Sequence, residues 1–117
     1  MERKTLSATT LIGDKVRNPE GEDLGEMTDL MIDLDGGGIS YAVVDLGGFL
    51  GTSGKLFAVP WKALGLDTEN HEMILGIDRE RLENAPGFDR DDWPDFSDRA
   101  WGSTVHEHYG IPPYWEG

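Results

Sequence analysis

Residues 45–64 read DLGGFLGTSGKLFAVPWKAL, and their reading decides the fold. An apolar strand runs into a glycine-rich loop, a second strand and a Val-Pro-Trp corner. Lysine among glycines suggests a phosphate cradle, which needs Gly, four residues, then Gly-Lys and a Ser or Thr ahead of a helix. Gly54-Lys55 is present, but the first glycine of that pattern falls on Phe49. Leu56 stands where a hydroxyl would reach magnesium. A strand pattern follows, so no helix N-terminus would face a phosphate. The stretch therefore reads as a hairpin. Phe49 and Leu50 lie at its loop tip, turned toward a hydrophobic surface or offered as a contact.

Upstream, residues 39–46 (ISYAVVDL) form the most strand-like run, rich in β-branched and aromatic side chains. Asp35-Gly36-Gly37-Gly38 before it is a tight antiparallel connection. In residues 27–34, Met27, Leu30, Ile32 and Leu34 alternate with polar residues except at Met31, which predicts a half-buried strand with a bulge. Asn18-Pro19-Glu20-Gly21 is a turn, and residues 11–16 are the candidate first strand.

Downstream, Pro60 ends its strand or sits at an edge. Residues 61–64 read as a helical bend, 67–70 as a turn and 72–77 as the last strand. Asp78 is placed to cap a short helix over 79–84, ahead of Pro86-Gly87. Strand lengths and spacing predict a mainly β fold: a small, closed or nearly closed antiparallel barrel over residues 1–84.

Residues 85–117 differ in character. They lack apolar periodicity, yet hold Phe88, Trp93, Phe96, Trp101, Tyr109, Tyr114 and Trp115 among acidic residues and prolines. Disordered tails are poor in aromatics. This extension is expected to be irregular and to dock on its own barrel or on a second subunit.

The net charge of −13 disfavours a nucleic acid or an anionic membrane surface as direct partner, because both are held mainly by Lys and Arg. Solubility explains the acidity, with a basic protein partner as the sharper alternative. The chain has no cysteine, which removes disulfides, thiolate metal sites and cysteine nucleophiles. No apolar run approaches the ~20 residues of a membrane span, and no signal-peptide pattern opens the chain. A soluble, cytoplasmic protein is expected.

Constellations with chemical meaning are sparse. His106 and His108 would share a face of an extended segment, and with His71 could approach a zinc site. Two ligands do not make a site, so surface or packing histidines are the favoured reading. Asp89, Asp91, Asp92, Asp95 and Asp98 resemble a calcium loop in spacing, but Trp93 and Pro94 stand where a ligand and the glycine belong. Ser53, Ser97 and Ser103 lack the setting of a nucleophile. No catalytic residue and no cofactor is assigned.

Asn18, Gly21, Leu24, Gly25, Tyr41 to Asp45, Gly47 to Gly51 and Val59 to Trp61 together resemble the PRC-barrel family across roughly residues 6–80. The family takes its name from the cytoplasmic domain of the photosynthetic reaction-centre H subunit, and a related domain ends ribosome maturation factors. The closing segment looks like the tail of small stand-alone bacterial members. The resemblance implies a small barrel that holds other macromolecules without chemistry of its own. The expected function is a non-enzymatic protein-interaction or assembly module, homodimeric in type. Its partner residues are expected among Phe49, Leu50, Trp93, Trp101, Tyr109 and Trp115. The alternatives are a metal-binding or electron-transfer accessory role through His106 and His108, and a ribosome-assembly binding role.

Overall fold

A computed structural model describes residues 6–51 and 54–116, with the side chains of Gly48 and Phe49 outside the described set. A four-residue helix, α1 (Ala8–Leu11), comes first, where a strand over 11–16 was expected. Ser7 Oγ accepts the Thr10 N–H and starts the helix. Gly13, at φ 98°, then turns the chain into β1 (Lys15–Arg17).

β2 (Asp23–Ile32) and β3 (Ile39–Asp45) pair antiparallel, with register shifts at Met27/Asp29 and Met31/Ile32. The second shift is the bulge that Met31 predicts. Gly25 is demanded by close approach: a Cβ there would lie 1.9 Å from the Asp45 carbonyl oxygen.

The glycine-rich segment folds into a single helical turn, α2 (Gly47–Leu50), ended by Gly51 at φ 70°. The returning strand β4 (Lys55–Pro60) then pairs with β3, so the segment is a hairpin connection. A 3-10 turn over Trp61–Ala63 makes the expected bend.

Beyond it lies β5 (Leu64–Asp67), which the sequence does not announce, and β6 (Glu72–Leu75). Asp78 caps α3 (Arg79–Glu83) by accepting the Arg81 N–H. β7 (Gly87–Asp89) and an eleven-residue helix, α4 (Arg99–Tyr109), follow, with a 3-10 turn over Tyr114–Glu116 after them. The extension is thus partly regular rather than irregular throughout.

The seven strands form one sheet in the order β5-β6-β1-β2-β3-β4-β7. β1 and β6 run parallel and every other neighbouring pair is antiparallel. Among the described residues the sheet does not close: β5 and β7 are its edges. It nevertheless curls like a barrel, because β1, β2, β3, β4 and β6 all feed one core. That core holds Val16, Leu24, Met27, Ala42, Val44, Phe57, Val59, Met73 and Leu75.

β3 and β4 are buried on both faces. Side chains alternate along a strand, so Ala42, Val44, Phe57 and Val59 enter the barrel core while Tyr41, Val43, Leu56 and Ala58 join a second cluster with Phe88 and Val105. The unbroken apolar runs of both strands follow from this double burial. The cover on the outer face is the chain's own C-terminal segment.

Candidate functional site

Helix α4 starts where the Asp98 carboxylate accepts the Ala100 N–H and stops at Gly110, at φ 68°. Gly102, Val105, His106 and Tyr109 recur at helical spacing and face the barrel. Gly102 permits the approach: a Cβ there would stand 2.8 Å from the Tyr41 hydroxyl and 2.9 Å from the Trp115 ring.

Around this contact lies an aromatic seam. Tyr41 meets Phe96, Trp101 and Tyr114 at ring-centroid distances of 5.8, 5.6 and 5.7 Å. Such tilted and edge-on pairs contribute roughly 0.5–1.5 kcal/mol each beyond their buried area. His106 enters the same seam, 5.3 Å from Tyr41 and 5.7 Å from Trp115.

The seam holds buried polar atoms. Among the described residues, the Tyr41 and Tyr109 hydroxyls are buried without a hydrogen-bond partner, and the His106 ring nitrogens, also buried, have at most the Ile111 backbone beside them. Burial holds the His106 imidazole below the usual histidine range and pushes the Tyr41 and Tyr109 phenols up. These shifts come from packing and favour neutral groups.

His106 and His108 do not share a face. Two residues apart on a helix they point in different directions. His106 enters the seam, while His108 turns to α3, its Nε2 lying 2.7 Å from the Arg81 carbonyl oxygen. His71 sits in the turn between β5 and β6, at φ 54°. Among the described residues, no three His, Cys, Asp or Glu side chains are grouped as a metal site requires. The aspartates of 89–98 serve locally: Asp95 accepts the Ser97 N–H and Asp98 caps α4.

Of the expected contact residues, Leu50 packs half-buried against the barrel core. The Phe49 side chain lies outside the described residues, as does Ser53. Trp101 and Tyr109 pack on the second cluster. Trp115 lies between His106 and the Arg99 guanidinium, which stands 5.4 Å from its ring. Trp93 remains 39% exposed, its indole N–H donating to the Arg90 carbonyl.

Sequence reasoning passed over the apolar residues that do face solvent. Ile32 at the end of β2 and Leu34 in the β2–β3 turn are 56% and 92% exposed. Leu6, Ile12 and Leu66 are exposed in α1, its flanks and β5, and Leu6 and Leu66 line one crevice. The signal for Leu34 was available: it sits between two aspartates beside three glycines, in a turn with no core to enter.

A curled sheet around one core, with a Leu-Gly approach at its second strand and a Val-Pro-Trp corner, defines a small barrel-like β domain. The family model for the PRC-barrel domain matches residues 3–82, and the chain belongs to that family. No curated protein matches the chain.

Proposed function

We propose that this PRC-barrel chain is a non-catalytic protein-contact module, acting as a cytoplasmic homodimer that holds a partner protein. The placement of its exposed apolar side chains carries this reading. Apart from Trp93, those of the described residues lie at two places outside both cores, the β2–β3 turn and the α1/β5 end. Exposed apolar groups so placed are features of contact surfaces. Tyr41, His106 and Tyr109, whose ionisation burial disturbs, are held in packing, which supports a structural use for them.

The α1/β5 end suits a second copy. Among the described residues β5 is a sheet edge, and an edge is where strand addition occurs. Leu66 on that strand is 47% exposed. The nearby carboxylates of Glu72 and Asp67 are held by Arg17 at 3.0 and 3.9 Å. A chain of net charge −13 can meet its copy where its charge is locally paired. Trp93 is the extension's aromatic best placed to add to a contact.

Sedimentation equilibrium tests the dimer. The native chain is expected at twice its monomer mass at micromolar concentration, and Leu66→Asp at the monomer mass with an unchanged circular dichroism spectrum. A native chain monomeric throughout that range contradicts the homodimer. Metal, electron-transfer and ribosome-assembly roles gain no support from the arrangement of the described residues.

A further inference from the structure

The β2–β3 turn presents an alternation of charge and apolar surface. Asp33 and Asp35 flank Leu34, with Ile32 one step before. Three hydrogen bonds hold this order: Asp33 N–H donates to the Gly38 carbonyl, Gly37 N–H to the Asp33 carbonyl, and Asp35 N–H to the Asp33 carboxylate. Leu34 is the most exposed large apolar side chain among the described residues. Neither aspartate forms a salt bridge with a described residue, since the paired cations Lys15, Arg17, Arg79 and Arg90 engage other carboxylates.

Beside the turn lies a depression of about 350 Å³, where Met31, Ser40, Phe96 and Tyr114 face the turn residues. It adjoins a second of about 490 Å³, shared by Asp33, Asp35 and Tyr114 with Arg99 and Trp115. Among the described residues, Arg99 is the one cation lining either depression, and its guanidinium stands over the Trp115 ring. The groove therefore sets Met31, Leu34, Phe96 and Tyr114 among polar groups and carries a net acidic rim. The Tyr114 phenol reports the same field: burial and the charges of Asp33 and Asp35 push it up, against Arg99.

We propose that this groove docks a cationic segment of a partner protein, with an apolar side chain against Leu34 and Tyr114 and a lysine or arginine against Asp33 and Asp35. It rests on the protein-contact reading above and names the partner's chemistry. A second copy is disfavoured here, because symmetric pairing would bring unpaired aspartates together in a chain already at −13. The rim charges would steer a cationic segment inward, and the apolar contact would set its lifetime.

The probe is a twelve-residue peptide with four lysines around one central leucine, set against its glutamate counterpart. Calorimetric titration of the full chain gives affinity, and amide chemical shifts give location. The lysine peptide is expected to bind and to shift amides at the β2–β3 turn and around Phe96 and Tyr114, while the glutamate peptide does not bind. The double substitution Asp33→Asn with Asp35→Asn is expected to weaken binding about tenfold, and Leu34→Ser about fivefold. Glu20→Gln with Glu69→Gln, an equal charge change at exposed residues outside the groove, is expected to cost less than about twofold.

Equal losses in the two double variants would reduce the effect to bulk charge and overturn the proposal. So would shifts confined to another face, or no binding at millimolar peptide. Loss of the homodimer in Leu34→Ser would overturn it by seating a second copy there. If the groove fails while the native chain still sediments as a dimer lost in Leu66→Asp, the contact-module reading stands without it.

Discussion

Arg81 and His108 exchange hydrogen bonds between α3 and α4. The Arg81 guanidinium donates to the His108 carbonyl, and His108 Nε2 lies 2.7 Å from the Arg81 carbonyl. A carbonyl can only accept, so His108 carries its proton on Nε2. The pair clasps the last helix of the barrel to the helix that covers the outer face of β3 and β4. Arg81→Ala is expected to cost about 1 kcal/mol, as an ordinary net hydrogen bond does. Amide exchange in α4 should accelerate more than exchange in β3.

Removal of the whole cover is expected to be far more damaging. A chain ending at Asn84 would expose Tyr41, Val43, Leu56 and Ala58 and strip β7 from the edge of β4. At roughly 1.5–3 kcal/mol per large apolar side chain, the loss is about 5 kcal/mol or more, comparable with a domain's whole stability. The truncated chain should bind a hydrophobic dye and lose cooperative melting at 25 °C. An unchanged melting curve would show that the extension is not part of the fold.

Two glycines are expected to resist replacement to different degrees. At Gly25 a Cβ meets backbone, the Asp45 carbonyl at 1.9 Å, and φ is 150°. Gly25→Ala should cost about 3 kcal/mol or more, since backbone must move. At Gly102 the obstacles are the ends of the Tyr41 and Trp115 side chains. Gly102→Val should cost about 2 kcal/mol, with the loss felt at the aromatic seam. Urea denaturation of both variants measures the order.

Stability should fall as the medium becomes mildly acidic, because of His106. Its folded pKa lies below the unfolded value of about 6.5, so the unfolded chain binds the extra proton. The contribution is complete above about pH 6.5 and is lost as pH falls below that. Tyr41, Tyr114 and Trp115 surround the ring, and the Ile111 backbone, then the Glu116 charge, oppose the shift only in part. Asp67, held low chiefly by its Asn70 hydrogen bonds, loses its contribution only in stronger acid. His106→Phe removes two buried ring nitrogens and should be close to neutral at pH 7. Its melting temperature should also vary less than the native one between pH 7 and pH 5.

The hairpin through residues 45–64, the Met31 bulge and the Asp78 cap were legible because each has a local cause. α4 was not read, although Trp101, Val105 and Tyr109 stand four apart. Gly102, Ser103 and the aromatic residues are weak helix formers, and the surrounding prolines and aspartates hid the period. What stabilises that helix is the outer face of β3 and β4, a long-range partner. β5 and the parallel pairing of β1 with β6 are likewise non-local. Contact residues were sought mainly among aromatics, of which Trp101, Tyr109 and Trp115 lie half-buried in the seam. Leu34 and Ile32 were left outside, where the strand runs past its core.

Affinity capture from native-host extract, with the full chain and its Leu34→Ser and Leu66→Asp variants as bait, bears most directly on the chain as a contact module. A partner protein retained in stoichiometric amount by the native chain and lost with Leu34→Ser is the expected result. Loss of the second copy alone is expected with Leu66→Asp. Retention of no protein, or of the same proteins in the same amounts by all three baits, would contradict it.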